Sequence, residues 1–179
     1  MCLPADKSTL RRHIRSLKAA TPPDEREAAS WVLCWHIAEH PRFGSAQTIL
    51  LYYPLPDEAD VRPLLQRFPD KQFLLPVVVG DDLELRVYEG EESLRRGAFG
   101  ILEPTGDILT DYESIQLAII PGVAFTPDGR RLGRGRGYYD RLLPRLTQAY
   151  KLGVCWPFQL LDDIPTEPHD IRMDGVIWA

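Results

Sequence analysis

QLAIIPGVAFTPDGRRLGRGRGYYD, residues 116–140, joins an apolar run to a segment rich in glycine and arginine, and the rest of the chain is arranged around it. The run at 116–120 is typical of a strand buried on both faces, as in a parallel sheet. In open α/β sheets, ligands bind beyond the carboxyl ends of the strands. The segment 121–140 therefore lies where a binding site is expected.

The second half of this stretch alternates glycine with arginine: Gly133, Gly135 and Gly137 surround Arg134 and Arg136. Glycine lets backbone N–H groups approach an anion, and guanidinium groups neutralise its charge. A helix predicted over 137–146 would add the positive end of its dipole. The spacing matches neither GxxxxGK[ST] nor a GxGxxG directly after a strand. We interpret the segment as a polyphosphate-binding loop, with a solvated surface loop as the alternative.

The composition indicates a globular protein with a small anionic ligand. The 179 residues suffice for one domain with a sizeable core, and 44% of them are hydrophobic and 26% charged. No apolar run approaches the roughly 20 residues that span a bilayer. A net charge of −5 disfavours a protein that coats nucleic acid. Yet six arginines between Arg130 and Arg145 accompany a single acid, Asp140, so positive charge is concentrated at one place.

The sequence shows neither the pattern of a secretory signal nor that of a cysteine-based structural site. Residues 1–15 lack the apolar core of a secretory signal, so we expect a cytoplasmic protein. Cys2, Cys34 and Cys155 are odd in number and far apart, which argues against a disulfide framework and a CxxC metal site.

Two helices are predicted before the first strand. Asp6 is a suitable N-cap, and Leu10, Ile14 and Leu17 form an apolar stripe after it. The cations of this helix, among them Lys7 and Arg11, are interpreted from the pattern alone as a solvated face. The second helix begins at the proline pair 22–23 and ends before Pro41. One of its sides carries Ala28, Trp31, Trp35 and Ala38.

The remaining pattern predicts strands at 48–53, 72–79, 83–88, 116–120, 151–155 and 175–178, with a short helix at 61–68. Pro76 is expected to interrupt or bulge the second strand. Residues 89–110 lack periodicity and are predicted as an extended loop. This order of strands and helices predicts an α/β fold: one domain, residues 1–179, with a doubly wound, mostly parallel sheet and helices on both faces.

Several polar residues near the expected site are open to two interpretations. Asp140 could hold Mg²⁺ beside bound phosphates, or could be an ordinary first-turn helix acid. Tyr138 and Tyr139 could stack on a ring or bind a phosphate, or one of them could fill the core. The carboxylates of Glu58 and Asp60 follow a strand end, but acids are common in turns. The pair His169-Asp170 is weak evidence by itself.

Taken together, these segments resemble the 5-formyltetrahydrofolate cyclo-ligase family over nearly the full length. The most specific match is RLGRGRGYYD at 131–140. The others occur in the family's order: KSTLR at 7–11, DEAD at 57–60, GILEP at 100–104, PGVAF at 121–125 and His169-Asp170.

The resemblance implies an ATP-dependent, Mg²⁺-requiring conversion of 5-formyltetrahydrofolate to 5,10-methenyltetrahydrofolate, with release of ADP and phosphate. The γ-phosphate would phosphorylate the formyl oxygen, and N10 would then attack the activated carbon. It also implies a fold similar to that of sugar-phosphate isomerases and CoA transferases. The partner would be a small molecule, with no nucleic acid and no membrane, and we expect a monomer.

The resemblance also assigns roles to individual residues. Arg134 and Tyr138 would be catalytic, and Asp140 and Asp170 would be the magnesium ligands. The residues that would contact ATP are Lys7, Ser8, Arg11, Arg131, Leu132, Gly133, Arg134, Gly135, Arg136, Gly137, Tyr138 and Tyr139. Those that would contact the folate are Tyr53, Glu58, Arg134, Gly135, Arg136, Gly137 and Tyr138.

Two alternatives stay open. A non-catalytic module that binds or stores folate or nucleotide is motivated by Val61 and the C-terminal residues, which depart from the family pattern. A phosphosugar isomerase or transferase on the same fold would need an acid–base pair, for which the sequence offers only Glu58 and Asp60.

Overall fold

The computed structural model describes residues 6–97 and 100–179. Its helices are α1 (Lys7–Ala20), α2 (Pro23–Glu39), α3 (Pro41–Ser45), α4 (Arg62–Arg67) and α5 (Tyr138–Leu142). Its strands are β1 (Thr48–Leu50), β2 (Gln72–Val79), β3 (Asp82–Val87), β4 (Leu94–Arg96), β5 (Leu102–Pro104), β6 (Leu117–Ile120), β7 (Ala124–Phe125), β8 (Arg131–Leu132), β9 (Tyr150–Cys155) and β10 (Gly175–Trp178).

Six strands form the central sheet in the order β10-β9-β6-β1-β2-β3. Every neighbouring pair is parallel except β2–β3, which is antiparallel. In the register, Ile49 of β1 lies between Phe73 of β2 and Leu117 of β6. The predicted mostly parallel α/β sheet is therefore confirmed.

The two faces of the sheet bury separate cores, as alternation along a strand requires. On one face, Ile49 and Leu51 pack among residues of α2, α3 and α4 such as Leu33 and Phe43. On the other, Leu50 packs with Leu142 of α5 and the residues that follow it. Helices on both faces are thus confirmed.

The first helix is organised as predicted. The Asp6 carboxylate accepts a hydrogen bond from Thr9 N at 2.9 Å and caps α1. Leu10 and Ile14 are fully buried against Val123 and Leu132. The helix α1 therefore packs on the segment that follows β6.

The second helix begins at Pro23 as predicted, but its tryptophans face away from the sheet. Trp31 and Trp35 are 60% and 53% exposed. The side that packs inward carries Leu33, Cys34 and Ile37. None of the helices in the described ranges combines the length and apolar character needed to cross a bilayer.

Two local predictions in the middle of the chain are wrong. The strand β2 runs without interruption through Pro76, which is in register with Leu85 of β3. Pairing of β2 with β1 ends before this point, so β1 does not require the N–H that proline lacks. Residues 89–110 are not an unstructured loop, because β4 and β5 form an antiparallel pair there. Val78 N donates to the Glu103 carboxylate at 3.1 Å and ties this pair to the sheet.

The stretch that follows β6 contains a hairpin that the sequence pattern does not reveal. Strands β7 and β8 pair antiparallel, with Phe125 opposite Arg131. Thr126 is fully buried, and its hydroxyl accepts a hydrogen bond from Arg130 N at 3.0 Å within the turn. The helix predicted over 137–146 is shorter: α5 spans five residues, and a 3₁₀ turn follows at Leu143–Arg145. Its dipole is therefore weaker than a longer helix would give.

Candidate active site

A cavity of about 300 Å³ lies between the segments that leave β1 and β6. Tyr52 and Tyr53 line it after β1, and Pro121 and Gly122 line it after β6. In the sheet, β2 lies on one side of β1 and β6 lies on the other. The chain passes from β1 to β2, and from β6 to β9, so the two connections leave in opposite directions. The cavity between β1 and β6 therefore lies at the topological switch point, where open sheets bind ligands. The predicted site residues that line it are Tyr53, Glu58, Arg131, Gly133, Arg134, Gly135, Arg136, Gly137, Tyr138, Tyr139 and Asp140.

Five predicted site residues lie outside the lining of this cavity: Lys7, Ser8, Arg11, Leu132 and Asp170. Arg11 reaches the glycine–arginine loop from α1, since its Nε donates to Gly133 O at 2.8 Å. Lys7 Nζ donates to the Asp170 carboxylate, also at 2.8 Å. Ser8 is exposed, and the Leu132 side chain is fully buried in the core with Leu10. Any contact of Leu132 with a nucleotide would have to use its backbone.

Arg134 is held by two carboxylates from the loop after β1. Its Nε donates to Glu58 at 3.0 Å and its Nη2 to Asp57 at 2.6 Å. Burial alone would lower the pKa of Arg134, but Asp57 and Glu58 outweigh it and the pKa is raised. The Glu58 side chain is only 11% exposed, whereas the arginine is 42% exposed. The guanidinium is therefore fixed at the cavity while part of it remains accessible to a ligand.

Arg131 is the buried cation of the site. Its Nε donates to Pro121 O at 2.9 Å, and its guanidinium lies 4.9 Å from the centre of the Tyr139 ring. Burial lowers the pKa of this guanidinium, while the carboxylates of Asp140 and Glu58 oppose that effect. The Arg131 charge attracts an anion that displaces water from the cavity, and the neighbouring carboxylates offset part of that attraction.

Two tyrosines of the cavity, Tyr52 and Tyr139, are neutral groups. Burial, reinforced by the Glu58 charge, raises the pKa of both Tyr52 and Tyr139. Tyr52 donates its hydroxyl to Ala59 O at 2.8 Å and so fixes the loop that carries Glu58. Tyr138 lines the cavity, and its ring lies 5.5 Å from the Arg141 guanidinium.

Two glycines of the loop adopt backbone conformations that other residues rarely adopt. Gly135 has φ +94° and Gly137 has φ +74°. A Cβ on Gly137 would also approach Arg141 Nη1 to 2.6 Å. The sequence requirement for glycine at these positions is thus conformational as well as spatial.

The two predicted metal ligands have different surroundings. Asp140 lines the cavity and faces Arg131 Nη1 at 3.5 Å. Asp170 lies with Glu167 and His169 in a group whose possible ligand atoms are within 4.8 Å of one another. Lys7 Nζ already lies among these acids, 2.8 Å from Asp170 and 3.5 Å from Glu167. Hydrogen bonds from Lys7 and from the Glu167 backbone outweigh the effect of burial and lower the pKa of Asp170.

Sequence reasoning missed a second layer of charge behind Arg134. Lys18 is only 6% exposed, and its Nζ donates to Asp57 O at 2.6 Å. Burial lowers the pKa of Lys18. One signal was present: Lys18 follows Ile14 by four residues and so lies on the apolar side of α1. Glu103, which also lines the cavity, gave no such signal because its segment lacks periodicity.

Comparison with known proteins gives a consistent family assignment. The model of the 5-formyltetrahydrofolate cyclo-ligase family matches residues 4–179. A 5-formyltetrahydrofolate cyclo-ligase of Mycolicibacterium smegmatis is 31% identical, with 97% of this chain and 94% of the relative covered.

Two solved structures are similar in fold. The NMR structure of 5,10-methenyltetrahydrofolate synthetase from Aquifex aeolicus has a TM-score of 0.87 and 34% identity, with 96% of this chain and 89% of that chain covered. The corresponding synthetase from Mycoplasma pneumoniae has a TM-score of 0.77 and 26% identity, with 96% and 98% covered. The chain described here belongs to the 5-formyltetrahydrofolate cyclo-ligase family.

Proposed function

We propose that this protein catalyses the ATP-dependent conversion of 5-formyltetrahydrofolate to 5,10-methenyltetrahydrofolate, with release of ADP and phosphate. Family membership supports the reaction. The structural observation that carries it is the single cavity in which the glycine–arginine loop faces Tyr53 and Glu58. One wall suits an anion and the other suits a ring with hydrogen-bond donors.

ATP is proposed to bind on the loop side. The backbone from Gly133 to Gly137 can approach phosphate oxygens closely, and Arg131 and Arg134 supply positive charge. Arg11 supports the loop through Gly133 O. Lys7 is placed on the same helix, one turn earlier, where its ammonium group can attract the triphosphate.

The folate is proposed to bind on the opposite wall. The Glu58 carboxylate accepts hydrogen bonds, which suits the amino and N–H groups at the edge of a pterin. Tyr53 lies beside it in the cavity lining. Leu83, Val78 and Pro76 add an apolar surface for the ring system.

The proposed reaction needs no protein nucleophile. The formyl oxygen attacks the γ-phosphorus, the bond from that phosphorus to the bridging oxygen breaks, and ADP leaves. N10 then attacks the formyl carbon and loses its proton, and the carbon–oxygen bond breaks to release phosphate. Phosphoryl transfer of this kind depends on positioning and charge stabilisation. Arg134, held by Asp57 and Glu58, and Tyr138 border the cavity where the two substrates would meet.

Magnesium is part of this proposal. Mg²⁺ prefers oxygen ligands and commonly combines one or two carboxylates with phosphate oxygens. Asp140 fits such an ion, because its carboxylate lines the cavity and has only a 3.5 Å contact with Arg131. Asp170 is the second proposed ligand, although Lys7 competes for its carboxylate. When bound, the ion would neutralise phosphate charge.

We also propose that the protein acts as a monomer and as one domain, since residues from Tyr52 to Asp140 line the same cavity. A non-catalytic binding module is the second candidate. No feature of the cavity favours it within the described residues, because the loop, the cations and the Glu58 wall are all in place.

An absorbance assay tests the proposed function. The purified protein is mixed with 5-formyltetrahydrofolate and Mg-ATP, and the absorbance band of methenyltetrahydrofolate is followed together with ADP release. We expect one ADP for each product formed, and no band without ATP. Binding of both ligands without a band, where a known cyclo-ligase gives one, would support the non-catalytic module instead.

A further inference from the structure

Lys18, in the last turn of α1, is a buried cation that does not line the central cavity. The residue is 6% exposed, and lysine is almost never fully buried unless a partner compensates its charge. The partner is Asp57. Its backbone carbonyl oxygen accepts a hydrogen bond from Lys18 Nζ at 2.6 Å, and its carboxylate Oδ2 lies 3.4 Å from the same nitrogen. Lys18 therefore holds Asp57 at two points.

Asp57 connects Lys18 to Arg134, which does line the cavity. The other carboxylate oxygen, Oδ1, accepts a hydrogen bond from Arg134 Nη2 at 2.6 Å. Burial would raise the pKa of Asp57, but the hydrogen bonds and charges of Arg134 and Lys18 outweigh it, and the pKa is lowered. The Asp57 carboxylate thus lies between two cations, one of which faces the cavity.

Glu58, the second partner of Arg134, is held in a different way. Its Oε2 accepts a hydrogen bond from Leu55 N at 3.0 Å, within its own loop, and its Oε1 accepts one from Arg134 Nε at 3.0 Å. The position of Glu58 therefore depends on local structure. The position of Asp57 depends on Lys18, which lies 39 residues away along the chain.

We propose that Lys18 is a positioning residue for the reaction: it holds Asp57 in the orientation that fixes the Arg134 guanidinium at the cavity. This inference rests on the proposed function, in which Arg134 borders the place where the two substrates meet. Without the Lys18 charge, Asp57 would attract Arg134 more strongly, because two cations would no longer share its carboxylate. Water replaces a buried ammonium group poorly, so the guanidinium would be displaced from its position at the cavity.

A contribution to stability alone is the alternative, since Lys18 Nζ also lies 5.8 Å from the centre of the Trp156 ring. Two substitutions separate the two roles. Lys18→Met keeps an unbranched apolar side chain but loses the charge and the donor, whereas Lys18→Arg keeps both. Lys18→Gln, which keeps a donor but loses the charge, answers the same question if Lys18→Met does not fold.

Lys71→Met is the matched control. Lys71 Nζ also donates to a backbone carbonyl oxygen at 2.6 Å, that of Ala46, and lies 5.2 Å from the centre of the Phe43 ring. Lys71 does not line the cavity. The measurements are kcat, KM for ATP and for 5-formyltetrahydrofolate, and the melting temperature of each variant.

Lys18→Met should lower kcat about tenfold, which is the effect of losing one hydrogen bond to a charged group. KM for both substrates should stay near the parent values, because the residues that line the cavity are unchanged. Lys18→Arg should recover at least part of the lost kcat, and Lys71→Met should keep the parent kcat even if it melts earlier. A lower melting temperature in Lys18→Met, with kcat per folded molecule unchanged, would overturn the proposal.

A second comparison tests the path through Arg134. In an Arg134→Gln background, Lys18→Met should cause no further loss of kcat, because the two side chains act as one unit. The same tenfold loss in both backgrounds would contradict this path.

A third measurement does not depend on turnover. The NMR signal of the Arg134 Nε hydrogen, assigned by its absence from Arg134→Gln, should exchange with water about tenfold faster in Lys18→Met than in the parent. Equal exchange rates would show that Lys18 does not fix the guanidinium. Absence of turnover in the wild type would instead contradict the proposed function, and the exchange comparison would still decide whether Lys18 positions Arg134.

Discussion

Arg11 Nε donates to the carbonyl oxygen of Gly133 at 2.8 Å, across 122 residues of sequence. The Arg11 guanidinium also lies 3.4 Å from the position that a Cβ on Gly135 would occupy. A helix near the N-terminus therefore fixes the backbone of the loop, which ties the loop's conformation to the docking of α1.

Arg11→Ala should weaken ATP binding. The substitution removes both a cation near the proposed phosphate site and the anchor of Gly133 O, so we expect KM for ATP to rise about tenfold. The melting temperature should stay close to that of the parent, because Leu10 and Ile14 hold α1 in place. Arg15→Ala, on an exposed position of the same helix, is the control and should leave KM unchanged. An unchanged KM in Arg11→Ala would show that the anchor is dispensable.

Arg134→Lys should lower catalysis more than stability. A lysine cannot contact Asp57 and Glu58 with the same two-nitrogen geometry. Loss of one positioned hydrogen-bond donor at a site of developing charge costs about 10²–10³-fold in kcat. Steady-state kinetics measure the effect, and Arg145→Lys is the control, since Arg145 lies over the Tyr112 ring instead. Activity within about twofold of the parent would exclude a catalytic role for the guanidinium.

Asp140→Asn should change the magnesium requirement. The neutral amide is a weaker Mg²⁺ ligand than the carboxylate, so half-maximal activity should need at least about tenfold more Mg²⁺. The fold should persist, because the side chain is partly exposed and its contact with Arg131 is long. Asp82→Asn, another exposed acid paired with an arginine, serves as control. A large fall in melting temperature would identify Asp140 as a structural helix acid instead.

The thiols of the buried cysteines Cys34 and Cys155 should not react with alkylating reagents in the native protein. Burial raises the pKa of Cys34 and of Cys155 to about 12, from an ordinary value of 9.0. The folded state therefore keeps both thiol protons at pH 9.5, whereas the unfolded state loses a large part of them. Because the folded state binds more protons there, stability should fall as pH rises above about 9.

Iodoacetamide labelling followed by mass spectrometry measures this directly. Cys34 and Cys155 should stay unmodified at pH 9 in the native protein and become modified after denaturation. Modification of Cys34 in native protein at the rate of the unfolded chain would contradict its burial. Denaturant unfolding at pH 7.5 and 9.5 tests the loss of stability.

The sequence predicts the sheet well because its strands carry local signals. The bounds of β2 and β10 agree with the predicted ranges. The strand β1 is shorter than predicted because the apolar run continues beyond the sheet, where Tyr52 and Tyr53 line the cavity. Apolar character does not distinguish a buried strand from a buried cavity wall.

The parts that could not be predicted depend on contacts between distant segments. The pair β4–β5 is tied to the sheet by Glu103, and no periodicity marks it. The orientation of α2 has the same origin, since Trp31 and Leu33 are both apolar and only packing decides which side is buried. At the site, the residue types of the glycine–arginine loop could be recognised from the sequence. The ion pairs of Arg134 could not, because Glu58 and Asp57 lie 76 and 77 residues away along the chain.

The ion pair between Lys7 and Asp170 joins segments 163 residues apart. A ribosome makes the chain from its N-terminus, so Lys7 emerges long before its partner is synthesised. The side chains of Lys7 and Arg11 therefore take up their final positions only after Asp170 and Gly133, respectively, have been synthesised. A nascent chain that has exposed only its first half can therefore hold part of the sheet but not the assembled glycine–arginine side of the cavity.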